Sequence, residues 1–422
     1  VEAGSDVQDE LRAWLELPGR QPLVVIDSGR PAVLPEGALA IIGRADQVWA
    51  LESSPAERLA ALTGRPVAVL EPWMVPELHR PGAGSSGPED DAQLDGVRLI
   101  GEGGDMVGIV EGGPSFAAVR LAAAGIPLVG LQAPNWPVVE VPGSPEEAGR
   151  LILDHRDRYL RLSVRFRRAA HGGHSVGRRL WEVLHRAGLG VEEPIPPLAG
   201  LLVSNKPALV GAALAGFARQ THPRRSVVVG LHGDGDFRKA EEAVASADGR
   251  LPTAMLRFPA KMTLGACLNA AAEAASAPLL AKIDDDDHYG PHYLEDAVQA
   301  LAYSGAEVVG KSTHFVFLEG EGRTLLVGEG KEEQLTRYAP GPTLVFRRRV
   351  WEDVAFPDRP QRVDSIFVRG CNAVGADIYS TSRFEFVWAR RAGGHTWEVD
   401  PAHFLARGEP AWDGWEPDRS HA

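Results

Sequence analysis

The feature that most constrains this chain is a short apolar run, Leu279-Leu280-Ala281-Lys282-Ile283, that ends in four consecutive aspartates, Asp284 to Asp287. A run this brief and this apolar reads as a buried strand. In an open α/β sheet, ligands bind at the carboxyl ends of such strands. Four adjacent carboxylates repel one another, so a positive group should neutralise them. Hard divalent cations such as Mg²⁺ and Mn²⁺ prefer oxygen donors and commonly bridge carboxylates to phosphates. In extended chain, residues i and i+2 point the same way. Asp284 and Asp286 are therefore expected to face one metal while Asp285 and Asp287 turn elsewhere. The plainer alternative is a solvated acidic loop, with Asp287 stabilised near the N-terminus of the next helix.

The pattern around this run is that of an α/β protein. In the first half, apolar runs at 23–26, 67–70, 106–110 and 126–129 alternate with helix-like segments at 55–63, 116–124 and 145–155, which reads as a parallel sheet. Residues 80–96 are rich in Gly, Ser, Pro and acids and read as a loop. A charged helical region spans 157–187, and the prolines of 190–197 interrupt it. A domain boundary is expected there, giving domains 1–190 and 198–422. The second half restarts with strands at 198–203 and 226–231, helices at 208–220 and 264–275, the strand 279–283 and a helix at 292–304. Extended runs at 313–318 and 324–327 follow, so a β-richer back is expected.

At 422 residues the chain exceeds what one core usually supports. Its net charge of −13 argues against nucleic-acid binding, which needs a basic surface for phosphates. Cys267 and Cys371 are too few for a disulfide framework and lack zinc-type spacing. No stretch approaches the roughly 20 apolar residues of a membrane span. Together these predict a soluble, cytoplasmic protein, and a homo-oligomer is compatible with them. The chain begins at Val1 rather than Met, as a trimmed chain would.

Several segments around the acid run occur in a telling order. They are Leu201-Leu202-Val203-Ser204-Asn205-Lys206-Pro207, then Leu214 through Gln220-Thr221-His222-Pro223, then Gly265 to Ala271, and then Ala277 to Asp287. Gly341 to Phe346 and Arg362-Val363-Asp364-Ser365 come later. In this order they resemble the inverting GT-A type glycosyltransferases of family 2, over about 200 residues. The resemblance implies a mixed sheet flanked by helices that binds a nucleotide diphosphosugar. It implies that Asp284 contacts ribose or metal and that Asp286 holds Mn²⁺ or Mg²⁺ against the diphosphate, a Lewis-acid role. Asp364 would be the general base for the acceptor hydroxyl. Ser204, Asn205, Lys206, Lys261 and Asp285 would contact the nucleotide sugar. The family places an Asp after its second strand to read uracil, whereas this chain has His232, with Asp234 two positions later. UDP is the favoured carrier, and dTDP and GDP stay open. His395, in a Gly-flanked segment near the end, matches a further metal or diphosphate ligand. Trp388, Trp397, Trp412 and Trp415 offer sugar-stacking faces, although core packing explains such residues more often. The acceptor, whether glycan, natural product or polypeptide, is not specified.

The first half is similar to the nucleotide-binding half of GT-B glycosyltransferases of the spore-coat maturation type. The similarity rests on Ala45 to Ala50, Pro114-Ser115, Arg120 to Val129 and His174 to Arg179. Arg120 stands where active relatives have a donor-binding Glu, and only one Rossmann-like half is present. A non-catalytic role in structure, acceptor binding or assembly is expected. The His171-Gly172-Gly173-His174 piece reads as a helix end followed by a turn rather than a metal site.

Three rival readings meet specific residues of the sequence. A haloacid-dehalogenase phosphohydrolase needs Thr or Val where His288 stands. A nucleotidyltransferase needs a Gly-rich basic loop that Ser204 to Pro207 does not supply. A carbohydrate-binding or scaffolding protein built from retired transferase domains is the non-enzymatic alternative.

Overall fold

The computed structural model describes residues 24–27, 47–50, 68–69, 97–102, 105–110, 116–130, 139–140, 144–247, 251–391 and 400–422. The expected helix at 55–63 and loop at 80–96 lie outside them. The chain divides into two compact units. One comprises Val1–Val75, Pro88–Arg150 and Ala169–Pro194, and the other Pro76–Gly87, Leu151–Arg168 and Ile195–Ala422. Among the described residues, no helix is long and apolar enough to cross a membrane.

In the first unit, strands Val24–Asp27, Gln47–Ala50 and Ala68–Val69 form a parallel sheet. A second sheet runs in the order Val97–Glu102, Asp105–Val110, Leu128–Gly130 and Val139–Glu140. This second sheet corrects the wholly parallel expectation, because Val97–Glu102 pairs antiparallel with Asp105–Val110. Only two residues separate those strands, and so short a link permits a hairpin but no crossover. Helices Phe116–Ala123 and Pro145–Leu153 accompany the sheet, whose interior includes Val107, Ile109, Val119 and Leu128. Helix Arg156–Gly173 does end at its glycine pair, and Ser175 caps the next helix, Val176–Arg186, by accepting from Arg178 N. His171 Nε2 lies 3.2 Å from Ala123 O, and His174 Nδ1 lies 2.7 Å from an Arg179 guanidinium nitrogen. Both histidines thus serve packing contacts.

The second unit is built on an eight-stranded sheet. Its order is Thr253–Phe258, Arg225–His232, Leu198–Ser204, Leu279–Ile283, Val345–Arg347, Val308–Gly310, Ile378–Ser380 and Gln334–Thr336. The first four strands are mutually parallel, and Val345–Arg347 runs against them. Helices Pro207–Ala218, Arg238–Ala245 and Leu264–Ala274 supply the crossovers, so three strand–helix pairs precede the acid strand. Local signals fix their ends. Pro207 opens its helix, where a missing N–H costs nothing, and Thr263 caps Leu264–Ala274 by accepting from Ala266 N at 3.1 Å.

Each face of this sheet is covered, as parallel sheets require. Leu202, Val229, Ile283, Leu294 and Phe386 belong to one core. Leu201, Val228, Leu280, Phe346 and Phe367 belong to the other. Close packing demands glycine at sheet positions such as Gly200 and Gly230, where a Cβ would meet the ring of Phe217 or Phe258 at 2.5 or 2.6 Å. A five-stranded sheet follows, in the order His288–Tyr289, Phe386–Arg390, His314–Leu318, Arg323–Val327 and Gly408–Asp413.

Candidate active site at the acid run

The strand Leu279–Ile283 is buried along its whole length, and the acid run leaves its carboxyl end. Alternation puts Leu279, Ala281 and Ile283 in one core and Leu280 in the other. Lys282 shares the parity of Leu280, so its chain enters the second core. Buried ammonium groups need carboxylate partners. Lys282 has two, with Nζ 2.5 Å from Asp284 Oδ1 and 3.4 Å from Asp364 Oδ2. Burial opposes its charge, but Asp284 and Asp364 outweigh that and hold it above the ordinary lysine range.

Past Ile283 the extended alternation expected of the acid run does not continue. Residues 285–287 bend, and each aspartate finds its own partner. Asp285 accepts from Ser204 Oγ, and Asp286 Oδ2 accepts from Lys206 Nζ at 2.7 Å. Asp287 Oδ1 accepts from Ala389 N at 2.9 Å, whereas its Oδ2 is shut off from solvent with no hydrogen-bond partner among the described residues. Burial pushes Asp285 up to about 6 against the pull of the Ser204 hydrogen bond. Burial, reinforced by Asp284 and Asp286, raises Asp287 well above the carboxylate range.

Asp364 lies in the first turn of helix Val363–Ala373, whose Val363, Phe367 and Cys371 pack into the second core. Burial raises its pKa, Lys282 opposes the rise and Asp284 adds to it. Its Oδ1 is buried with no hydrogen-bond partner among the described residues. Arg362 enters this helix in the left-handed region, at φ 59°, a strained conformation for a non-glycine residue. Gly341 packs directly on the Asp364 carboxylate, and a Cβ there would lie 2.0 Å from Oδ2. Tyr289 ties the same region together, its hydroxyl accepting from Asp284 N at 3.0 Å and donating to Pro342 O at 2.9 Å. Gln220, in the Gln220-Thr221-His222-Pro223 segment, braces the next turn. It donates to Gly290 O at 2.7 Å and accepts from Leu294 N at 3.0 Å.

The acid run lines an open groove of about 210 Å³, together with Arg219, Gln220, Arg391 and Trp415. Ser204 and Lys206 reach the acid run, while Asn205 between them is exposed. His232, Asp234 and Lys261 stand together elsewhere, at the ends of strands Arg225–His232 and Thr253–Phe258. His232 Nε2 lies 2.8 Å from Met262 O, Asp234 Oδ1 accepts from Ala260 N at 3.4 Å, and Lys261 is exposed. None of these three lines the groove. Trp412 packs on Phe315 and Trp388 on Phe404, whereas Trp415 borders the groove. His395 and Trp397 lie outside the described residues. Sequence reasoning missed Lys282, Tyr289 and Gly341. For Lys282 the signal was present, since a charge inside a strand buried on both faces demands an acidic partner.

No protein-family model matches this chain, and no curated protein matches it either. Among solved structures, a fragment of Staphylococcus aureus TarS, residues 1–349, in complex with UDP-GlcNAc is similar at 18% identity and a TM-score of 0.41. The match covers 50% of this chain and 64% of that fragment. The mannosyltransferase PcManGT from Pyrobaculum calidifontis, in complex with GDP-Man and Mn²⁺, is similar at 18% identity and a TM-score of 0.38. That match covers 54% of this chain and 67% of the other. A further structure of S. aureus TarS is matched over 37% of that chain.

Proposed function

We propose that the second unit transfers a sugar from a nucleoside diphosphate, UDP favoured, to an acceptor hydroxyl by a single inverting displacement. The observation that carries this reading is Lys282, whose one buried ammonium joins Asp284 of the acid run to Asp364. A carboxylate cluster that can hold a cation and a further carboxylate that can take a proton are the two parts such a displacement needs.

The donor set fits a hard dication. It consists of carboxylate oxygens, the ligand type Mg²⁺ and Mn²⁺ prefer, and Asp287 Oδ2 is left without a hydrogen-bond partner beside it. Asp284 and Asp286 would hold the metal, which when bound offsets the charge that builds on the leaving diphosphate. Lys206 adds a positive charge at the same place. Asp364 accepts the proton of the acceptor hydroxyl as its oxygen attacks the anomeric carbon. Its raised pKa suits that task, since a base works best when its pKa approaches the operating pH. Lys282 fixes where that carboxylate stands, and Gly341 leaves room for it. Ser204 orients Asp285, and Tyr289 keeps the acid run and the Gly341-Pro342 turn in register. His232, Asp234, Asn205 and Lys261 are assigned to the nucleotide, and His395 to a further metal or diphosphate contact.

The test is a panel of UDP-, dTDP- and GDP-sugars assayed for donor cleavage and transfer, with Mn²⁺, Mg²⁺ or EDTA. Cleavage of one donor class that EDTA abolishes is the expected result. Cleavage indifferent to EDTA, or surviving Asp286→Ala, overturns the metal-assisted mechanism.

A further inference from the structure

Beside the acid run lies a second cluster of metal-ligating side chains with different chemistry. His288 opens the strand His288–Tyr289, which pairs antiparallel with Phe386–Arg390. Its Nε2 stands 3.0 Å from His421 Nε2, with the two rings stacked at 5.3 Å between centroids and 16° between planes. His421 Nε2 lies 3.7 Å from Asp418 Oδ1. All three donor atoms fall within 4.8 Å of one another. Asp418 and His421 belong to the Pro417–Ser420 turn and its cap, a 3₁₀ segment in which side chains three apart eclipse and so share a side.

The scaffold holding these ligands is fixed by other contacts. Glu385 N donates to Ser420 O at 2.8 Å, and Ala422 N donates to Glu385 Oε1 at 3.0 Å. The Arg161 guanidinium donates to Arg419 O at 2.8 Å and also to His421 O. Gly290 is needed for this approach, because a Cβ there would meet His421 Cδ2 at 2.8 Å and Glu385 Oε2 at 2.3 Å. These contacts hold the turn against the strand, so that small side-chain rotations bring the three donors onto one ion. Two imidazole nitrogens that share a tetrahedral metal at roughly 2.0–2.1 Å stand about 3.3 Å apart, so this pair, at 3.0 Å, needs to open only slightly.

We propose that His288, Asp418 and His421 form a second divalent-cation site, separate from the acid run, that takes a borderline cation such as Zn²⁺. Two imidazoles and one carboxylate are the donor set for zinc or cobalt, whereas the all-oxygen acid run suits magnesium or manganese. The bound ion pins the Pro417–Ser420 turn to the strand that follows the acid run, and so braces the floor of the groove. The site does not depend on the transferase reading and can fail or stand without it.

The experiment uses the full chain without an affinity tag, stripped by chelation and titrated with Co²⁺ and then with competing Zn²⁺. Wild type is expected to bind one Zn²⁺ equivalent that displaces visible-absorbing Co²⁺ and raises the melting temperature. Losing a ligand weakens binding at least about tenfold, as loss of mere supporting contacts already does. His421→Ala and the exposed, conservative Asp418→Asn should both show this weakening, and Asp286→Ala should keep the equivalent. Should His421→Ala not fold, Asp418→Asn decides alone. Unchanged binding in Asp418→Asn, an equivalent lost with Asp286→Ala instead, or no cobalt absorbance in wild type would each overturn the site.

Discussion

Lys282 Nζ lies 3.4 Å from Asp364 Oδ2, a half-buried ion pair between the strand that carries the acid run and a helix far downstream. Burial already raises Asp364, and Lys282 is the group holding the rise in check. Lys282→Met removes a cation that favours the carboxylate, so the pKa of Asp364 rises further. A base must be deprotonated to act, so the acidic limb of kcat/KM moves to higher pH. A pH profile of donor turnover checks this, and a limb that stays put or moves down contradicts it.

Gly341 sets a second constraint on the same carboxylate. Its position against Asp364 leaves no room for a Cβ, so Gly341→Ala displaces the carboxylate. A misplacement of about 1 Å costs on the order of 10²-fold in rate. The expected signature is a kcat loss of that order with the fold and the donor dissociation constant retained. A kcat close to wild type would mean that Asp364 need not stand where it does.

Gln220 makes a prediction about stability. Gln220→Leu leaves the Leu294 N–H without its partner, and an unsatisfied buried donor costs roughly 1–3 kcal/mol. Urea unfolding should show that loss. A change within about 0.5 kcal/mol, the range of ordinary surface substitutions, would show the brace to be unimportant.

Much of the second unit was legible because its signals are local. The acid strand was read at its true bounds, since a five-residue apolar run ending in charge has little freedom. The helix Leu264–Ala274 was drawn to within one residue. Strands such as Val308–Gly310 and Ile378–Ser380 escape a periodicity reading, because three residues carry no period. The hairpin of Val97–Glu102 and Asp105–Val110 was missed although Gly103-Gly104 between the strands is a turn signal. Within the site, the partners of the four aspartates could not be read in advance. Alternation assumed an extended run, but residues 285–287 bend, and the contacts come from two other strands: Ser204 and Lys206 at the end of Leu198–Ser204, and Ala389 within Phe386–Arg390. Lys282 could have been singled out by its parity; that Asp364 meets it depends on how one helix docks.

Asp364→Asn, assayed for UDP release from a UDP-sugar alongside donor affinity, tests the central claim most directly. The substitution keeps the shape of the side chain and removes its ability to take a proton. General-base catalysis contributes typically about 10²–10⁴-fold, so turnover should fall by that order while donor affinity holds. Turnover near wild type, or a collapse of donor binding in place of turnover, would contradict Asp364 as the base.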